Sequence, residues 1–321
     1  MKVVGLQTQI WDNNIKSVVL LILFPILIAI LICMLAFIFV VSSNTKDIMG
    51  DTVTWSIIGI LLSIPIILIW FLIAYAFNKG IINLMTGAKG VTRVENPTIY
   101  NIVENLCISR GLPVPSIQII EDNSMNAFAS GLTPSSASIT FTRGILNRLN
   151  PEEIEAVAAH ELTHIMNQDI KLMVVSIIFV GIIQTIADFI LRVRIGRSSN
   201  DKDGASIGLI ILLVKVVAFI IGAFFSIAIQ FAISRKREFL ADAGSVELTK
   251  TSANLISALK KIEVDPFVEA VQNRNIAQMF IDNPLGGVDE NGERKIGFFD
   301  KIFMTHPPMS ERIKALEVIG S

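Results

Sequence analysis

The chain has 321 residues, 52% apolar and 17% charged, with a formal net charge of −1 and a mean hydropathy of +0.62. That composition excludes an ordinary water-soluble domain, and the balanced charge offers no basic surface for nucleic acid. Two cysteines, Cys33 and Cys107, exclude a disulfide framework, a CxxC redox pair and a cysteine-ligated zinc.

Residues 18–41 and 53–77 are the first two apolar runs. Each exceeds the roughly 20 residues a helix needs to cross a bilayer. The first run is too long for a signal-peptide core and has no small-residue cleavage site, so it is expected to be retained. Pro25 and Pro65 should bend these helices without forbidding them. Lys2 and Lys16 precede the first run, and Lys79, Lys89 and Arg93 follow the second. The loop between has only Lys46, set against Asp47 and Asp51. The excess of basic residues therefore puts the N-terminus and the segment after Phe77 on the cytoplasmic side.

A polar segment starts near Asn78. Residues 98–111 have helical apolar spacing (Ile99, Ile102, Val103, Leu106) and end at Gly111, with Pro113 and Pro115 blocking continuation. Residues 116–121, 126–131 and 137–142 read as short strands, the last two joined by a turn at Pro134, Ser135 and Ser136. The small, uncharged stretch Asn126, Ala127, Phe128 and Ala129 suits a sheet edge. A helix start follows, with Asn150 as N-cap, Pro151 at the first helical position, and Glu152 and Glu153 in the first turn.

That helix runs into His160-Glu161-Leu162-Thr163-His164, which holds two of the three histidines. Residues four apart share a helix face, so one metal ion can take a nitrogen from each imidazole. Glu161 can then act on a water activated by the metal without ligating it, the H-E-x-x-H arrangement of zinc peptidases. The bland alternative is a chance match of surface or capping histidines. On a strand the same two histidines would stand too far apart for one ion.

Residues 172–191 and 207–233 are two further apolar runs, read as a spanning hairpin. Arg192, Arg194, Arg197 and Lys202 between them argue the other way, because such a hairpin would put this basic loop outside. Asp188 and Lys215 within the runs either pair with one another or lie near the interface, with the lysine snorkelling.

A catalytic zinc needs a third protein ligand. His306 is distant, and Glu238 in Glu238-Phe239-Leu240-Ala241-Asp242 is the better candidate, with Asp242 on the same helical face to orient a ligating histidine. The competing reading is a solvated acidic face beside Arg235 and Arg237. Topology separates them. His164 lies eight residues, about 12 Å, before the third run, and Glu238 five residues, about 7.5 Å, after the fourth. A hairpin must return to the face it left, so both should emerge on one side at similar height.

The ordered set of motifs resembles the HtpX-type membrane zinc metalloproteases, relatives of the Ste24 prenyl-protein peptidases. The matching features are the two N-terminal spans, Asn126-Ala127-Phe128-Ala129, His160 to His164, Glu238 to Asp242 after an apolar hairpin, and His306-Pro307-Pro308 with Arg312. The resemblance implies one zinc ion on His160, His164 and Glu238, with Glu161 as general base and Asp242 behind His160. It implies that Asn126, Ala127 and Phe128 pair with an extended substrate by β-augmentation, and that His306 and Arg312 hold the substrate or the oxyanion. Residues 272–298 are polar and Gly-rich, and read as a lid.

The fold expected is an integral membrane, mainly α protein. Four transmembrane helices would carry a cytosolic α+β, zincin-like metalloprotease domain with a small β-sheet. Residues 1–77 would form the first two helices, 78–171 the catalytic domain, 172–233 the hairpin, and 234–321 the completion of the catalytic domain. The function expected is a multi-pass zinc endopeptidase of the cell membrane, stress-linked through the resemblance. Its partners would be the lipid bilayer and unfolded or membrane-protein polypeptides. An intramembrane zinc protease fits less well, because the motif lies in a polar helix between Pro151-Glu152-Glu153 and Asn167-Gln168-Asp169. A zinc transporter would want ligands inside the spans, and an idle scaffold would have lost Glu161. Four spans argue by analogy against the enclosed chamber of the prenyl-protein branch.

Overall fold

A computed structural model describes residues 6–43, 45–192, 208–222, 236–271, 274–277, 279–284 and 307–319. His306 and most of the stretch 272–298, the expected lid, lie outside the described residues. The chain divides into two compact units.

One unit comprises Lys16–Ala76 and Ser176–Ile229. It takes most of helix α1 (Leu6–Ser42) and helix α2 (Ile48–Thr86), with part of helix α6 (Asp169–Arg192) and helix α7 (Gly208–Gly222). Ile22–Val41 in α1 and Ile48–Ile69 in α2 are long and apolar enough to cross a membrane, and Gly208–Gly222 is a shorter apolar helix. Pro25 and Pro65 both lie inside their helices. Phe24, Leu27, Ile28 and Leu31 of α1 are buried, whereas Leu61, Leu62, Ile66 and Leu68 of α2 are each more than half exposed. So continuous an apolar surface suits hydrocarbon, not water. Helix α7 runs antiparallel to α6. A β-carbon on Gly222 would touch Ala187 and Ile183, while Lys215, one to two turns earlier, donates to the Leu191 carbonyl at 3.2 Å.

The other unit comprises Met1–Ile15, Phe77–Val175 and Gln230–Ser321. Its sheet has the order β1 (Lys89–Gly90), β2 (Ser116–Ile120), β4 (Ser138–Thr142), β3 (Ala127–Ser130). Strand β2 pairs parallel with β4, Ser116 opposite Ser138, and β3 pairs antiparallel with β4, Ala127 opposite Phe141. The chain thus overshoots to the edge, turns at a 3-10 turn (Pro134–Ser136), and inserts β4 between β2 and β3. Strands β3 and β4 are buried throughout, which explains why small and apolar residues run together there instead of alternating. Their few polar side chains are satisfied inside the sheet, Ser130 with Ser138 at 2.7 Å and Thr140 on Gln118 at 3.2 Å.

Helix α3 (Pro97–Ile108) is capped by the Asn96 side chain, and Gly111 adopts φ +63° just beyond its end. Helix α4 (Arg143–Arg148) follows β4 directly. Helix α5 (Pro151–Met166) begins with a reciprocal box in which Asn150 and Glu153 each bind the other's backbone N–H, at 2.8 and 2.9 Å. Such a cap contributes about 1 kcal/mol. Glu153 also accepts from Ser257 (2.6 Å) and Lys261 (2.7 Å) on helix α9 (Ala253–Ile262). Burial alone would raise its carboxyl, but these donors outweigh it and hold the group below 4.5.

Candidate metal centre

Helix α5 is buried along nearly its whole length. Its Ala156, Val157, Ala158 and Ala159 present little bulk, which lets helix α8 (Lys236–Thr249) lie close against it. Two contacts set that approach. Ser245 donates to the Ala156 carbonyl at 2.7 Å, and Gly244 leaves no room for a β-carbon, which would collide with Thr163. A glycine inside a helix costs about 1 kcal/mol relative to alanine. Here it offsets that cost by letting two backbones meet.

The close approach brings Glu238 to the histidines. One ligand atom from each of His160, His164 and Glu238 lies within 4.8 Å of the others, and all three residues are buried. The two Nε2 atoms are 3.2 Å apart, and the Glu238 carboxylate oxygens stand 3.7 Å from His160 Nε2 and 3.6 Å from His164 Nε2. Zinc–nitrogen and zinc–oxygen bonds of about 2.0–2.2 Å in a tetrahedron put neighbouring ligand atoms roughly 3.3–3.5 Å apart. The observed edges match that size.

The outer nitrogens are also accounted for. His160 Nδ1 lies 3.0 Å from Asp242 Oδ1, and His164 Nδ1 lies 3.0 Å from Asp169 Oδ2. In each neutral ring a carboxylate at Nδ1 fixes the proton there and aims the Nε2 lone pair inward. Buried Glu161, Glu238, Asp242, Asp169 and Asp282 outnumber the buried guanidiniums Arg237 and Arg312. Burial depresses the His160 pKa, yet the Asp242 and Glu238 carboxylates outweigh it and push it up to about 9. A cation between the imidazoles answers the same field as that proton. The donor set, its spacing and its excess negative charge all fit a divalent metal.

Glu161 is buried beside the pair, and burial, with the Glu238 charge, raises its pKa above 4.5 against the pull of His160, His164 and Arg312. A base lifted toward neutral pH suits proton transfer better than an ordinary carboxylate does.

The geometry gives two sets of the expected site residues partners within the chain itself. Arg312, expected to hold substrate or oxyanion, is fully buried in helix α10 (Met309–Ile319). Its guanidinium forks onto Asp242 at 2.9 and 2.6 Å and donates to the Ile281 carbonyl at 2.9 Å. Asp242 is held low by Arg312 and His160 despite burial, which alone would raise it. The outer edge of β3, expected to be open to substrate, is occupied by the chain itself. Ile281 N–H donates to the Ala127 carbonyl at 2.8 Å, and Phe128 bridges Phe280. Asn126 is buried, its amide nitrogen donating to the carbonyls of Pro266 (2.8 Å) and Asp282 (2.9 Å).

Asp169 was not singled out from sequence as a partner of His164. The polar trio Asn167-Gln168-Asp169 is visible, but the contact depends on Gln168 adopting φ +57°. That left-handed step, unusual for glutamine, ends α5 and swings Asp169 back under His164.

A buried H-E-x-x-H helix completed by a carboxylate from a second helix defines a metallohydrolase of peptide bonds. The sequence pattern described as Peptidase family M48 matches residues 93–319, and the chain belongs to that family. It is a membrane metalloprotease. It is 44% identical over 327 residues to a Bacteroides fragilis protein called Protease HtpX homolog, covering 99% of each chain. A Dictyoglomus turgidum protein of the same name is 35% identical over 266 residues, 82% of this chain and 83% of that one. The crystal structure of S. mikatae Ste24p is 19% identical, with a TM-score of 0.45 over 96% of this chain and 66% of that one.

Proposed function

We propose that the chain is a zinc-dependent endopeptidase of the cell membrane, with its site on the cytosolic side, cutting misfolded or damaged membrane proteins. One observation carries the reading. His160, His164 and Glu238 converge within 4.8 Å while Asp242 and Asp169 occupy the outer nitrogens of the two histidines.

His160, His164 and Glu238 would hold the zinc. Bound there, it would supply a Lewis acid that makes water nucleophilic near neutral pH and polarises a peptide carbonyl. Glu161 takes a proton from the attacking water and returns it to the leaving amine. Asp242 and Asp169 keep both imidazoles in the ligating tautomer, and Arg312 keeps Asp242 ionised and fixed. A direct part for His306 in holding the substrate rests on the family resemblance.

Four membrane passages, in residues 18–41, 53–77, 172–191 and 207–233, are proposed, with residues 78–171 and 234–321 together making the catalytic part. Lys79, Lys89 and Arg93 after α2 support the cytosolic side. A peptidase fixed to the bilayer would meet unfolded membrane polypeptides at high local concentration, which supports the quality-control substrate class.

The test is full-length protein purified in detergent, assayed for metal content and for cleavage of an unfolded casein. Glu161→Gln is expected to keep one zinc per chain and to lose about 10²–10⁴-fold in rate, the usual worth of a general base. Undiminished cleavage would refute the base, and a wild type without metal would refute the zinc site.

A further inference from the structure

The segment crossing the outer edge of β3 makes the contacts expected of a bound peptide. Ile281 donates its N–H to the Ala127 carbonyl at 2.8 Å, and its own carbonyl accepts from Arg312 at 2.9 Å. Asp282 is gripped at both backbone groups by one side chain. Its carbonyl accepts from the Asn126 amide nitrogen at 2.9 Å, and its N–H points to Asn126 Oδ1 at 3.4 Å. Phe280 lies opposite Phe128, the ring centroids 4.6 Å apart. These partners are Asn126, Ala127, Phe128 and the Arg312 guanidinium, four of the five residues to which the family resemblance assigns substrate.

The manner of attachment also counts. Strands β2, β4 and β3 pair through ladders of four or five residues, whereas Phe128 and Phe280 form an isolated bridge. The remaining grip comes from side chains acting on main-chain groups. Such contacts recognise any extended backbone, whatever its sequence, as a sheet edge does when it captures a peptide.

We propose that Phe280, Ile281 and Asp282 are an intramolecular occupant of the peptide-binding edge, competing with substrate for Ala127, Asn126 and Arg312. The chemical class that displaces them is an extended polypeptide, antiparallel to β3 and presenting a large apolar residue to Phe128. This rests on the peptidase reading above and adds regulation of that site. A tethered segment competes at an effective concentration in the millimolar range, so weak contacts suffice to hold it. Apparent substrate affinity then falls by the fraction of molecules with an open edge. Because Ile281 and Asp242 share Arg312, displacement also frees a guanidinium N–H next to the residue that orients His160.

The test compares casein affinity, by fluorescence anisotropy, of zinc-loaded full-length Glu161→Gln in detergent with that of Glu161→Gln/Ile281→Pro and Glu161→Gln/Phe280→Ala. Proline removes the N–H given to Ala127, and alanine removes the ring against Phe128. Competition predicts binding about tenfold tighter with proline and about threefold tighter with alanine, at unchanged zinc content. Hydrogen exchange at Ile281 and Asp282 should also speed up when casein saturates the parent protein. If the proline variant loses zinc or fails to fold, the alanine variant and the exchange measurement decide. Casein affinity unchanged or weakened in the zinc-retaining variants, with Ile281 protection undiminished by casein, would overturn the proposal. Loss of the peptidase reading would show separately, as absent zinc or as cleavage indifferent to Glu161→Gln.

Discussion

Helices α2 and α5 treat water in opposite ways. Helix α2 shows Leu61, Leu62 and Ile66 to the outside, and α5 buries His160, Glu161 and His164. The difference teaches that each helix is built for its own solvent. Exposed apolar side chains suit lipid in one unit, and in the other every charge withdrawn from water needs a partner. Removing a charge from the metal centre and adding one to α2 should therefore both be damaging.

Asp242→Asn should do the most harm. It leaves the fully buried Arg312 without its carboxylate, and losing one member of a buried pair costs about 3–5 kcal/mol. Thermal unfolding in detergent would show it, and a change below 1 kcal/mol would mean the Arg312–Asp242 pair is not integral to the fold. Leu61→Arg inverts the experiment on α2. A charge in the middle of a span costs about 2.5–3.5 kcal/mol of insertion, so the alkali-resistant membrane fraction should fall. Full retention would place Leu61 away from the hydrocarbon.

Asp169→Asn probes the metal centre more gently. Loss of a carboxylate behind a ligating histidine weakens metal affinity about 10–100-fold, measurable by competition with a chelator, while the fold persists. An unchanged affinity would remove Asp169 from the set that aims His164. The smallest effect is expected at Glu153. Its folded-state pKa lies below its ordinary value of 4.5. It therefore stabilises the fold above 4.5, and that contribution is lost as pH falls through the depressed folded value. Glu153→Gln should lower stability at neutral pH and leave it little changed once pH falls below the depressed folded value, so the acid limb flattens. An unaltered acid limb would assign acid sensitivity to other carboxylates.

Local patterns made much of this legible. The strands read at 116–121, 126–131 and 137–142 differ from β2, β3 and β4 by one residue at their ends, because Gly, Pro and Ser punctuate them. Asn150-Pro151-Glu152-Glu153 placed the start of α5 through capping chemistry. Strand β1 escaped notice, since two residues, Lys89 and Gly90, carry no period. The sheet order also escaped, because the insertion of β4 between β2 and β3 depends on distant pairing.

The sequence by itself determined which residues could act. Spacing of four on a helix aligned His160 with His164, and Glu238 with Asp242, since helical geometry is local. Run length marked the two long apolar helices α1 and α2, since the bilayer is a solvent of fixed thickness. Only tertiary structure decided who meets whom: Asp169 under His164, Arg312 on Asp242, Ile281 on Ala127. The last two join residues 70 and 154 positions apart. Such contacts form only after loops close and helices pack, and no short-range period records them.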